Sequence, residues 1–118
     1  MAVFNKKQTK RRDGFGLNER EFSILGSLSL GPKHGYAVAK DIREATEGDI
    51  QFTAATLYET IAKLRELGFI ERHRDETSDD GRPRKTYRIT GAGEVAARDY
   101  LALVERTARG ILAPQKGG

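Results

Sequence analysis

Only two stretches of the chain read as strands, Phe69-Ile70-Glu71-Arg72-His73-Arg74 and Lys85-Thr86-Tyr87-Arg88-Ile89, and they flank an Asp79-Asp80-Gly81 turn signal. A two-stranded hairpin with a long polar tip is at best marginally stable by itself in water. It has to lie against whatever else the chain folds into, and the segments before it read as helix.

Asn18 and Glu21 have the spacing of a capping box, with Leu17 placed for a staple onto Phe22, so a first helix starts near Glu19. Phe22, Leu25 and Leu28 recur at helical spacing along it, and Gly31-Pro32 ends it. A second short helix over residues 36–45 puts Val38, Ala39 and Ile42 on one face, with Gly48 as its stop. Ile50 and Phe52 read as extended residues entering the core. Thr53 then caps a third helix whose Leu57, Ile61 and Leu64 form the buried stripe, and Gly68 terminates it. After the hairpin, Thr90 caps a last helix reaching about residue 112, beyond which Pro114 and the terminal glycines cannot continue it. Three helices followed by a hairpin, in this order and size, is the winged helix-turn-helix plan. The expected class is mainly α with a small β-hairpin (α+β), extended by a C-terminal dimerisation helix. The expected organisation is a flexible basic arm over 1–16, the winged helix-turn-helix over 17–90, the dimerisation helix over 91–112 and a disordered tail over 113–118.

With 118 residues the chain has material for one core. No apolar run approaches the roughly 18 residues of a membrane span. Cysteine is absent, which excludes disulfides, thiol nucleophiles and thiolate metal sites, and the N-terminus lacks the apolar stretch of a signal peptide. A cytoplasmic protein without membrane contact is expected. The net charge of +4 is concentrated at the start, where Lys6, Lys7, Lys10, Arg11 and Arg12 stand among the first twelve residues. Subtracting those five from 21 basic residues leaves 16 against 17 acidic ones, so residues 13–118 carry −1. Attraction to a polyanion must come from the arm and from local clusters.

On the third helix the face opposite the buried stripe carries Ala55, Thr56, Tyr58, Glu59, Ala62, Lys63 and Glu66, with Thr53 at the cap. Laid in a major groove, Ala55 and Ala62 permit close approach or contact with thymine methyls. Thr56, Tyr58 and Lys63 can bond phosphates or base edges, and Glu59 can accept from a cytosine amino group. The same face is equally a solvated helix surface. At the hairpin tip Gly81-Arg82-Pro83-Arg84-Lys85 sets Arg82, Arg84 and Lys85 around a rigid Pro, which suits a narrow, negative minor groove, although charged turns also serve solubility. Lys10, Arg11 and Arg12 of the arm either reach an adjacent groove or solubilise a tail. In the last helix Ala97, Leu101, Val104, Ala108 and Ile111 follow a 4-3-4-3 spacing, the seam of a helix that packs along another helix. His34 and His73 are far apart in sequence and lack a third ligand at metal spacing, so no metal or cofactor is expected. No nucleophile-base-acid set or phosphate-cradling glycine loop stands out, and no catalysis is expected.

Five segments, Ile24-Leu25-Gly26-Ser27-Leu28, Gly31-Pro32-Lys33-His34-Gly35-Tyr36, Thr56-Leu57-Tyr58, residues 64–70 and Gly81-Arg82-Pro83-Arg84-Lys85-Thr86-Tyr87-Arg88-Ile89-Thr90, together resemble the PadR family of transcriptional regulators over about residues 20–105. The resemblance implies a homodimeric repressor that binds double-stranded DNA at an inverted-repeat operator and is released by a small hydrophobic or phenolic effector. It implies DNA contact by Tyr58, a wing over 81–85, and a second helix set at its start by Gly35-Tyr36, with His34 part of the turn. Glu59 departs from the family, which commonly has Pro after that Tyr, so base readout is expected to differ. A single C-terminal helix matches the short branch, in which that helix packs on the partner subunit, and Phe22 joins the expected interface. Some short members stack flat drugs between tryptophans; this chain has no Trp, and Tyr100 and Phe22 are only weak substitutes. The rival reading is a winged helix used for protein interaction without DNA, favoured by the acidic residues of the third helix and the near-neutral body.

Overall fold

A computed structural model describes residues 16–77 and 79–112. The elements follow the order α1 (Glu19–Leu28), β1 (Lys33–His34), α2 (Gly35–Ala45), α3 (Ala54–Glu66), β2 (Ile70–Thr77), β3 (Pro83–Ile89) and α4 (Gly91–Thr107), continued by a π-helical turn over Ala108–Leu112. The helix starts lie where side-chain acceptors can serve free backbone donors. Asn18 Oδ1 accepts from the Glu21 N–H at 2.8 Å, and Glu21 Oε1 accepts from the Asn18 N–H at 2.9 Å. Thr53 and Thr90 cap α3 and α4 in the same sense. His34 does so for α2, its Nδ1 accepting from the Ala37 N–H at 3.2 Å.

Three strands form the sheet, in the order β1-β3-β2, rather than the two expected. The addition is small: Lys33 and His34, between the Gly31-Pro32 turn and α2, pair antiparallel with Tyr87 and Thr86. The wing is also longer, and its tip shorter, than the sequence reading has it. The β2–β3 ladder runs out to Thr77 opposite Pro83, so Pro83 and Arg84 are strand residues as well as Lys85. The ladder breaks once. His73 and Arg74 together face Thr86, a bulge with one extra residue on β2. The buried Thr86 hydroxyl stitches it, accepting from the Arg74 N–H at 3.1 Å and donating to the Arg74 carbonyl.

The core joins Ile24, Leu25 and Leu28 of α1, Val38 and Ile42 of α2, Leu57, Ile61 and Leu64 of α3, and Phe69, Ile70 and Tyr87 of the hairpin. Ile24 takes a central place, whereas Phe22 stands at the edge with its ring 5.0 Å from that of Tyr100. Arg20 holds the link into α3, donating to the Gln51 carbonyl at 2.7 Å and lying 5.2 Å over the Phe52 ring. Lys33 of β1 and Ser27 of α1 both bond the Asp41 carboxylate of α2. The Lys33 hydrogen bond holds that carboxyl below its ordinary value, against the opposing effect of partial burial.

The first turn of α4 lies directly on the root of β2. Thr90 donates its hydroxyl to the Gly68 carbonyl at 2.7 Å and its N–H to the Phe69 carbonyl at 3.0 Å. Gly93 is buried beside them, and a Cβ there would fall on the Phe69 carbonyl oxygen and within 2.8 Å of Ile89 Cγ1. Backbone on one side of the contact cannot swing away as a side chain can. Gly93→Ala is therefore expected to destabilise the protein by about 2 kcal/mol or more, read from urea unfolding; an unchanged midpoint would show that α4 is not fixed at this point.

Candidate nucleic-acid interface

Burial of Leu57, Ile61 and Leu64 turns the opposite side of α3 outward, and Ala55, Glu59, Ala62 and Glu66 are all exposed there. Thr53 and Thr56 are exposed at the helix start but bonded to each other. Thr53 Oγ1 accepts from the Thr56 N–H at 3.1 Å and donates to Thr56 Oγ1 at 3.0 Å. That arrangement fixes the first turn and leaves the Thr56 hydroxyl proton for another acceptor.

The flanks of α3 are held by two contacts. On one, Tyr58 is 47% exposed, and its ring lies over Gly35 at the first position of α2. A Cβ at Gly35 would come within 2.9 Å of the Tyr58 hydroxyl oxygen and 3.0 Å of two ring carbons, so the absent side chain is what admits the ring. His34 and Tyr36, on either side of Gly35, have stacked rings 6.5 Å apart. On the other flank Lys63 extends its ammonium to within 3.1 Å of Glu21 Oε2. Glu21 is 1% exposed, and a carboxylate so buried needs a partner for each oxygen; the Asn18 N–H and Lys63 supply them.

Beside this face, a cleft of about 700 Å³ separates α3 from the wing root, lined by Glu59, Ala62, Lys63, Arg65 and Glu66 on one side and Ile70, Glu71 and Arg72 on the other. Several wing cations are already paired: Arg88 with Glu71 at 2.5 Å, Arg72 with Asp75 at 2.5 Å, and Arg82 with Asp80 at 3.7 Å. Arg84 and Lys85 form no ion pair with another described side chain. Lys10, Arg11 and Arg12 lie outside the described residues.

The seam residues of α4 divide. Ala97 is half-buried and packs, with Tyr100, against the chain's own core, and Phe22 is half-buried at the Tyr100 ring. Leu101 and Val104 remain 46% and 44% exposed and Ile111 74%, with Ala108 partly covered between them. Among the described residues no group of three His, Asp or Glu is arranged to hold a metal ion. No helix among them is long and apolar enough to cross a membrane.

The α3 stripe buried on α1 and α2, the wing beside it, and Tyr58 docked on the Gly35 turn bring together the segments 24–28, 31–36, 56–58, 64–70 and 81–90. The model of the transcriptional regulator PadR-like family matches residues 24–99, well over half of the chain. The chain belongs to the PadR-like family. Similar solved structures include a transcriptional regulator from Clostridium thermocellum, 28% identical with a TM-score of 0.68 over 81% of this chain and 92% of that one. A PadR family regulator from Eggerthella lenta is 26% identical with a TM-score of 0.63 over 78% and 80%. Bacillus subtilis PadR in complex with operator DNA is 25% identical with a TM-score of 0.62 over 71% of this chain and 47% of that one. No curated protein matches the sequence. As a PadR-like protein the chain is a transcriptional regulator rather than an enzyme.

Two contacts in this PadR-like site escape sequence reasoning. Glu21 is visible as a capping residue but not as the partner of Lys63, because one carboxylate does both and only its cap is local. Gly35 is visible as a turn residue, whereas its role as the seat of Tyr58 depends on how α2 and α3 cross. Gly35→Ala is expected to stay folded, since Ala is favoured over Gly in a helix by about 1 kcal/mol. NMR shift changes confined to Tyr58 and the first turn of α2 are expected; unperturbed Tyr58 resonances would show that the ring does not rest there.

Proposed function

We propose that this PadR-like regulator binds a specific double-stranded operator, an inverted repeat, as a homodimer. In this reading α3 lies in the major groove with Ala55, Thr56, Tyr58 and Glu59 toward the bases. Arg82, Arg84 and Lys85 run along the adjacent backbone and minor groove, and Lys10, Arg11 and Arg12 add phosphate neutralisation. The observation that carries it is the exposed outer face of α3 beside a wing whose Arg84 and Lys85 are bonded to no described carboxylate. The operator complex of the Bacillus subtilis relative supports the same reading.

A dimer follows from the size of the contact. One helix in one groove is a small interface, whereas a two-fold dimer presents two helices to half-sites about 34 Å apart. The exposed row of Leu101, Val104 and Ile111 is the apolar surface a second copy would cover. The family resemblance extends the proposal to repression in the cytoplasm, relieved by a small hydrophobic or phenolic effector.

Arg84→Ala combined with Lys85→Ala is expected to weaken binding on operator and random duplex alike. The slope of log affinity against log salt should fall by about 1.8, the value for two phosphate contacts. An unchanged slope would remove the wing from the interface. No retarded complex with duplex at low salt would favour the protein-interaction reading instead. Leu101→Asp is expected to turn a micromolar dimer into monomer in sedimentation and to cost operator affinity with it; a wild type that sediments only as monomer would overturn the dimer.

A further inference from the structure

The three most exposed large apolar side chains among the described residues are Leu30 at 82%, Leu112 at 75% and Ile111 at 74%. A single exposed leucine is ordinary, but these three stand at two places of complementary chemistry. Leu30 lines a groove of about 570 Å³ between α1 and α2. Ile42 and Ala45 continue its apolar lining, and a Cβ built on Gly26 meets nothing within 4 Å, so no group of this chain fills the space over it. Of the two carboxylates in the lining, Asp41 is held by Lys33 and Ser27, whereas Glu44 is exposed and pairs with no described cation. Ile111 and Leu112 belong to the π-helical turn that continues α4, and Arg109 beside them is exposed and pairs with no described carboxylate. None of these three residues lines the chain's own groove.

Contact through the middle of α4 alone would make a small dimer interface. Leu101 and Val104 are each less than half exposed, whereas a stable protein–protein interface buries roughly 1,200 Å² or more in total. Further surface has to join the row, and the helix lengths indicate which. Phe22 of α1 touches Tyr100, the residue before Leu101, and Leu30 stands about 12 Å farther along the chain at helical rise. Ile111 stands about 10 Å beyond Val104 by the same measure. In a two-fold dimer whose α4 helices meet at Leu101 and Val104, the tail of each copy therefore extends past the crossing by about the distance at which the partner's groove begins.

We propose that the last turn of one protomer, Arg109 to Leu112, seats in the α1–α2 groove of a second copy. Ile111 and Leu112 cover Leu30 and the space over Gly26, and Arg109 meets Glu44. This rests on the homodimer reading above and deepens it. The groove joins α1 to α2, and the first position of α2, Gly35, is the seat of Tyr58 from α3. The tail of one copy thus braces the helix pair that carries the reading helix of the other, so each DNA-reading unit is completed by its partner.

The chain has no cysteine, so two introduced thiols report on one contact. Gly26→Cys with Leu112→Cys in the full chain is expected to give a disulfide-linked dimer on mild oxidation at micromolar concentration, and neither single variant is expected to cross-link. Charge reversal gives a second measure. Glu44→Arg or Arg109→Glu alone is expected to weaken dimerisation in sedimentation by about five-fold, the scale of an exposed ion pair, and the two together are expected to restore it to within about two-fold. A disulfide formed within one chain would show the tail folded onto its own groove and overturn the proposal. So would a dimer cross-linked through Leu112→Cys alone, which would put the two tails against each other. A protein that still sediments as a dimer but gives no cross-link, with losses from the two charge reversals that simply add, would leave the groove to another occupant and equally overturn it. A wild type that sediments only as monomer would instead overturn the homodimer reading on which the proposal stands.

Discussion

Glu21 is the side chain about which the helical half of the molecule is organised. A carboxylate removed from water is tolerated only when its oxygens are bonded, and here they are bonded in two directions. One oxygen closes the capping box that starts α1, and the other receives the ammonium of Lys63 from α3. The backbone start of one helix and the lateral position of another are thus tied to a single group. The apolar stripe of α3 is compatible with some sliding along α1 and α2, since hydrophobic contact has little direction. The ion pair on one flank and the Tyr58 ring on Gly35 on the other remove that freedom and determine which side chains α3 shows to the outside.

Much of the fold was legible because its signals are local. Asn18, Thr53 and Thr90 each announce a helix start within three residues of the donors they serve, and the stripe of Leu57, Ile61 and Leu64 repeats at helical period. The misread features are those decided by partners remote in sequence. Lys33 and His34 carry no strand signal of their own; they are a strand because Tyr87 and Thr86 lie alongside. Pro83 and Arg84 look like loop residues beside Gly81, yet pairing across the hairpin continues through them.

The candidate site follows the same division. Exposure of Ala55, Tyr58 and Glu59 could be read from helical geometry, because one buried stripe defines its opposite. The engagement of Lys63 could not, since a lysine four residues beyond Glu59 reads as its natural helical partner and bonds Glu21 instead. The seam of α4 shows the reverse failure. A 4-3-4-3 spacing tells that a helix packs along something, but not how much of it the chain's own body already uses. Ala97 is claimed internally while Leu101, Val104 and Ile111 stay open.

The bulge at His73 and Arg74 bears on how such a wing can change over evolutionary time. Because the Thr86 hydroxyl bonds both backbone groups of Arg74 at that point, the outer ladder from Asp75 opposite Lys85 to Thr77 opposite Pro83 is phased separately from the inner pairs at Ile70, Glu71 and Arg72. Residues gained or lost at the tip alter the outer ladder without propagating into the strand root that supports Phe69 and Gly93. The wing is in effect a module with its own reading frame, free to diversify in length and charge between lineages while the helical body beneath it stays the same.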